Sequence, residues 1–138
     1  MLIEAPISVG ELLDKISILE IKLQSLLLYE QQSKFGNIHN EQKFLLEKAK
    51  QAGLDFEKSP LSELYLRLSS VNQKIWDGVA RQWELEKAHD INTEWSIDEI
   101  FNGFRAARAV LTENDKRAQI KREINKLFKS AVVEEKVY

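Results

Sequence analysis

Apolar residues recur every three or four positions along most of this chain. Leu12, Ile16, Leu19, Leu23 and Leu26 form one such run, and Leu64, Leu68, Val71, Ile75 and Val79 form another. The spacing matches the turn of an α-helix and lays these side chains on one stripe, whereas a half-buried strand would alternate in twos. Only five glycines and two prolines interrupt 138 residues, so the helices are expected to be long. A stripe of this kind has to be buried against others. The expected fold is therefore all-α: a bundle of four or five helices with long antiparallel helical hairpins and short extended termini, in one domain over 1–138.

Local signals place the helix ends. Pro6 keeps Ala5 out of helical space, so residues 1–7 read as an extended arm. Ser8-Val9-Gly10-Glu11 has the form of a capping box and opens a first helix, expected to run to about Ser33. Ile18, Ile21 and Leu28 add a second stripe to it, which implies neighbours on two sides. Phe35-Gly36-Asn37 reads as a turn, followed by a second helix over 38–52 with Ile38, Gln42, Leu45, Leu46 and Ala49 inward, ending near Gly53. Ser59 is expected to cap a third helix with Pro60 at its first position. That helix continues past Val79 to Gln82 or Trp83 and stops near Asp90-Ile91-Asn92. Gly78 inside it costs about 1 kcal/mol relative to alanine. Ser96-Ile97-Asp98-Glu99 is a second capping box and opens a fourth helix with Ile97, Ile100, Phe101, Phe104 and Leu111 inward. Thr112-Glu113-Asn114-Asp115 either passes through this helix or starts a fifth at Asn114, carrying Ala118, Ile120, Ile124 and Leu127. From Ser130 the pattern is no longer helical, and the tail to Tyr138 is expected to be extended, beside the N-terminal arm.

Composition narrows the function classes. There are no cysteines, which excludes disulfides, thiolate metal sites and thiol catalysis. Twenty basic residues nearly balance twenty-two acidic ones, so no global field favours nucleic acid or an anionic membrane. No apolar run approaches the roughly 20 residues of a membrane span. The start of the chain has no basic n-region or signal-type stretch, and a cytoplasmic location is expected.

The richest polar cluster runs from Asn114 to Lys129. On a helix, Asn114, Arg117, Lys121 and Asn125 share one stripe. An arginine fork with asparagine donors suits a phosphate or a carboxylate. The favoured reading of the same stripe is a solvated basic face, or ion-pair partners for acids on the first or third helix. Nucleic acid ranks last, because stacking aromatics are not interleaved with the bases. On the first helix, Glu11 and Lys15 form an i,i+4 pair. Asp14 and Glu20 fall on different faces, so paired acid–base carboxylates are not implied there. Glu86-Lys-Ala-His89 has the E-x-x-H spacing of carboxylate-bridged di-iron bundles, but the second motif is missing: the residue three before His39 is Gly36. Trp76, Trp83 and Trp95 are expected in core or interface packing. No motif calls for a metal or another cofactor.

Three blocks of sequence resemble one family. They are Ile7-Ser-Val-Gly-Glu-Leu-Leu-Asp-Lys-Ile-Ser-Ile-Leu-Glu-Ile-Lys-Leu23, Val71-Asn72 with Trp76-Asp77, and Asn114-Asp-Lys-Arg-Ala-Gln-Ile-Lys-Arg-Glu-Ile-Asn125 with Glu134-Glu-Lys-Val-Tyr138. In this order they are similar to a bacterial domain-of-unknown-function family of short helical proteins, over nearly the whole chain. The resemblance implies no defined activity; it hints at a role near nucleotide-sugars or the enzymes that use them. Its polar motif positions fall on Glu11, Asp14, Lys15, Glu20, Lys22, Asn72, Trp76, Asn114, Asp115, Arg117, Lys121 and Asn125. Where the family tends to continue with two acids after Asp77, this chain has Gly78-Val79.

Two functions remain in view. One is a non-catalytic module that binds a partner protein or self-associates, supported by more coiled-coil-like seam than one small bundle needs. The other is a small all-α enzyme or sensor for an anionic metabolite, such as a phosphate, a carboxylate or a nucleotide-sugar. There Arg117, Lys121, Asn125 and Asn114 would clamp the anion, and Asn72, Lys15, Asp14 and Glu11 would line the opposite wall. The first is favoured, because no catalytic constellation is visible.

Overall fold

The structure, a computed structural model, describes residues 1–28 and 32–132. It contains four helices: α1 (Val9–Leu28), α2 (Gln32–Gln51), α3 (Leu61–Ala88) and α4 (Ile97–Leu127), with no strand among the described residues. None of these helices is long and apolar enough to cross a membrane. Residues 1–8 precede α1 without regular structure, as Pro6 implies. The expected inward side chain of Leu28 and the extended tail from 133 lie outside the described residues.

Most helix ends have the chemistry read from sequence. The Ser8 hydroxyl accepts from the Glu11 N–H at 3.1 Å. At α4 the box is reciprocal: Ser96 Oγ accepts from Glu99 N–H at 3.1 Å, and the Glu99 carboxylate accepts from Ser96 N–H at 3.0 Å. Gly53, at φ 77°, takes the left-handed turn that ends α2, while Leu54 N–H donates back to the Ala49 carbonyl at 3.0 Å.

Four expectations are corrected. The turn at Phe35-Gly36-Asn37 lies inside α2, and α1 ends at Leu28, not near Ser33. Phe35, Ile38, Gln42, Leu45 and Ala49 make one continuous stripe, and burying it outweighs the propensity cost of an exposed Gly36. Ser59 does not cap α3. Pro60 holds the cap position without a side-chain bond, and Ser59 Oγ instead donates to the Glu63 carboxylate at 2.7 Å. There is no fifth helix: α4 runs unbroken through Thr112–Asp115, with Thr112 Oγ1 bonded to the Arg108 carbonyl of the preceding turn at 3.0 Å. The fourth concerns the inward face of α4 and follows from how the core is placed.

α1 is the hub, packing against α2, α3 and α4 as its two stripes imply. Leu13 and Ile16 of α1 are essentially inaccessible, as are Leu68 of α3 and Ile124 of α4. The buried residues of α3 all lie between Leu61 and Asn72, and those of α4 between Ile120 and Asn125. The core therefore sits at one end of the α3–α4 hairpin. At 1.5 Å per residue α1 spans about 30 Å, against about 42 Å for α3 and about 46 Å for α4. Beyond α1, residues 75–88 and 97–111 continue as a two-helix arm. Ile97, Ile100, Phe101, Phe104 and Leu111, expected inward, are instead 53–85% exposed, because no third helix runs alongside them.

The arm is held by contacts between its own helices. Gly78 lets α4 approach so closely that a Cβ there would lie 2.7 Å from Val110 Cγ2. At the tip, the His89 ring stacks on Trp95 at 3.6 Å and nearly parallel, with Nδ1 2.6 Å from the Glu99 carboxylate and Nε2 3.2 Å from the Thr93 carbonyl. His89 thus serves an intramolecular clasp with Glu99, and Glu86 of the E-x-x-H pair takes no part in it. The bond from the Ser96 backbone, then the one from His89, holds the Glu99 carboxyl below its ordinary value. A carboxyl with a lowered folded pKa contributes stability above its unfolded value, and that contribution fades as the pH falls through the folded one. Acidification below about pH 4 is thus expected to loosen the tip before the core. The Trp95 indole NMR resonance should shift at higher pH than core methyls such as those of Leu68, and a Glu99→Gln variant should lose that early step.

Candidate functional site

The polar residues singled out from sequence meet where α1 crosses the α3–α4 hairpin. Asp14, almost fully buried, accepts from Asn72 Nδ2 at 2.7 Å. The same amide group donates to Ser17 Oγ at 2.6 Å, and Ser17 Oγ in turn donates to the Asp14 carbonyl at 3.0 Å. Lys121 reaches in from α4, its Nζ 2.6 Å from Glu11 Oε2 and 3.8 Å from Asp14 Oδ2. Lys15 approaches the other Glu11 oxygen at 3.8 Å and is half exposed. One turn further along α4, Asn125 Oδ1 accepts from the Gly10 N–H at 2.7 Å. That bond satisfies one of the donors left open at the start of α1.

Glu11, Asp14, Asn72, Lys121 and Asn125 are thus brought together, with Lys15 at the edge. Arg117 and Asn114 lie on the same α4 stripe, half-buried, but join none of these bonds. The side-chain amide oxygens of Asn114 and Asn72 are buried without a hydrogen-bond partner among the described residues. Glu20 bonds instead to the Tyr65 hydroxyl at 3.2 Å. Burial, and then the Glu20 carboxylate, raise the phenol pKa.

Several contributors were not singled out. Ser17 is essentially inaccessible, and Ser130 Oγ accepts from the Val9 N–H at 3.3 Å. Gly10 matters most: a Cβ there would lie 2.7 Å from the Lys121 carbonyl oxygen and 2.9 Å from Asn125 Oδ1. Absence of a side chain is what allows α1 to start directly on α4. Sequence offers one hint of this, a glycine in the first turn of a helix where alanine would be the better former.

Chemically, the junction is closed. Two carboxylates face Lys121, so the one buried cation is matched within the chain, and the network resembles a lock more than an open anion clamp. Two grooves between α3 and α4 lie away from this junction, one lined by Leu66, Arg67, Ser70, Val71, Lys116, Gln119 and Ile120 and one on the arm.

The arm presents a surface of another kind. On α3, Trp76, Val79, Trp83, Glu86 and Asp90 follow at steps of three and four; on α4, Ile97, Phe101, Phe104, Arg108 and Leu111 do the same. Glu86 and Trp95 line one groove together with Ile100 and Phe104, which shows that the two stripes share a face. Trp83 is 62% exposed and Trp76 37%, so neither tryptophan is in the core.

Two substitutions test the junction as a lock. Lys121→Met leaves Glu11 and Asp14 without their shared cation and should cost about 2–4 kcal/mol in urea unfolding. A solvated basic face would lose almost nothing. Gly10→Ala raises helix propensity yet forces α1 away from a backbone carbonyl; a net loss of about 1–3 kcal/mol is expected, where propensity alone gives a gain. Comparison of the chain with protein-family models, with curated proteins and with solved structures finds no match.

Proposed function

We propose that this protein is a non-catalytic helical module that self-associates through the arm of α3 and α4. The observation that carries the reading is the apolar face left uncovered beyond α1. From ordinary side-chain areas, the exposed surface of its aromatic and aliphatic residues is on the order of 900 Å², near the roughly 800 Å² that each partner gives to a stable interface. Monomeric proteins rarely leave a contiguous patch of that size open. A two-helix layer needs a second layer over it, and another copy of the chain supplies one of matching length and periodicity.

The alternative of an anion-binding enzyme or sensor has weaker support, because Lys121 already faces Glu11 and Asp14. Membership of the bacterial family that the terminal motifs resemble belongs to the same proposal. It is supported by Glu11, Asp14, Asn72, Lys121 and Asn125, from separate motif blocks, meeting at one junction. A cytoplasmic setting belongs to it too.

Light scattering on the intact protein is expected to give twice the chain mass at micromolar concentration. Phe104→Glu and Trp83→Glu should each weaken the association by roughly 30-fold or more, with the helical far-ultraviolet spectrum retained because both side chains lie outside the core. A wild-type monomer across the micromolar range would sink the proposal.

A further inference from the structure

The two arm stripes carry charge as well as apolar surface, and the charge is unevenly distributed. In the tip half, residues 83–103, six acids face one lysine, Lys87. In the base half, residues 74–82 and 104–112, the balance reverses: Lys74, Arg81, Arg105 and Arg108 against Asp77. Two arms laid tip to tip would place acid on acid. Reversed, each acidic tip lies over a basic base.

Of the charged residues on the two stripes, Asp90 bonds to Asn92 within the tip turn, which leaves Glu86 and Arg108. Arg81 pairs with Glu84 at 3.5 Å, Arg105 lies over the Phe101 ring at 4.5 Å, and Glu99 is held by His89. Glu86 and Arg108 are exposed, and their side chains form no ion pair or hydrogen bond among the described residues. The contacts of Gly78 with Val110 and of His89 with Glu99 fix the register of the hairpin, putting Trp83 and Phe104 at about the same level. Glu86 lies three residues towards the tip from Trp83, and Arg108 four residues towards the base from Phe104, rises of about 5 and 6 Å. A two-fold axis lying across the arms at the Trp83–Phe104 level lays α3 of one copy over α3 of the other, and brings Glu86 over Val79 of the facing helix and level with Arg108 on the diagonal one, twice over.

We infer that two copies of this chain pair arm to arm in antiparallel orientation, the acidic tip of each over the basic base of the other, with Glu86 over Val79 and diagonally level with Arg108 of the second copy. This rests on the self-association proposed above and adds its geometry. Such an interface is isologous, closes at two copies and leaves no apolar face to propagate a filament. The aromatic centre supplies affinity, and the flanking charges select the orientation.

Because the chain has no cysteine, thiols can be placed at will. Within one chain, positions 79 and 86 share a face of α3 about two turns apart, beyond disulfide reach. The oxidised Val79→Cys/Glu86→Cys double variant is expected to run as a covalent dimer on a non-reducing gel, and each single variant as a monomer. Charge reversal gives an independent readout. Glu86→Arg and Arg108→Glu should each raise the dimer dissociation constant about tenfold, and together restore it. A double-cysteine variant that stays unbridged while light scattering still reports a dimer, bridging by Glu86→Cys alone, or reversals that fail to compensate would overturn the antiparallel orientation and leave self-association standing. A wild-type monomer would overturn both.

Discussion

A helix can bury its apolar stripe only as far as a neighbour runs alongside it. In this protein α1 is that neighbour for the α3–α4 hairpin, and it has 20 residues where they have 28 and 31. The buried residues of the hairpin helices lie within its reach, between Leu61 and Asn72 on one and between Ile120 and Asn125 on the other. Beyond its reach the same three–four spacing continues, but the side chains meet solvent. The length of one helix thus divides the hairpin into a folded base and an arm with an open apolar face.

The polar junction explains how α1 holds its place. Hydrophobic contact alone sets no unique register between helices, whereas Asp14 can satisfy Asn72 and Lys121 together in only one position along the hairpin. Gly10 adds a steric condition, since the start of α1 lies against the Lys121 carbonyl and the Asn125 amide. Surface pairs such as Arg67 with Glu123, at 2.8 Å and about half exposed, contribute little by comparison. The buried set costs desolvation and gives specificity in return.

Much of this was legible in the sequence. The stripes at Leu12–Leu26 and Leu64–Val79, the boxes at Ser8 and Ser96, and the stop at Gly53 act within a turn or two of the chain, so local patterns report them. The three–four stripe of Asn114, Arg117, Lys121 and Asn125 was visible too, but not which members would meet Glu11 and Asp14. The break between α1 and α2 was misplaced at Gly36, because the apolar period starting at Phe35 outweighs a single exposed glycine. Thr112–Asp115 resembled a cap, yet a side chain able to cap can equally bond to the preceding turn, and the packing of α4 on α3 decides between the two.

The amino-acid pattern by itself determined that the chain is helical, roughly where each helix begins, and which face of each is apolar. It could not determine whether an apolar face finds cover, because Phe104 and Ile124 carry the same kind of signal in the same helix. One is 61% exposed and the other inaccessible. The difference is set by where α1 lies, through contacts between residues more than a hundred positions apart, such as Gly10 with Asn125 and Glu11 with Lys121. Periodicity is a property of one helix; burial belongs to a pair of helices, and only the tertiary structure brings the pair together.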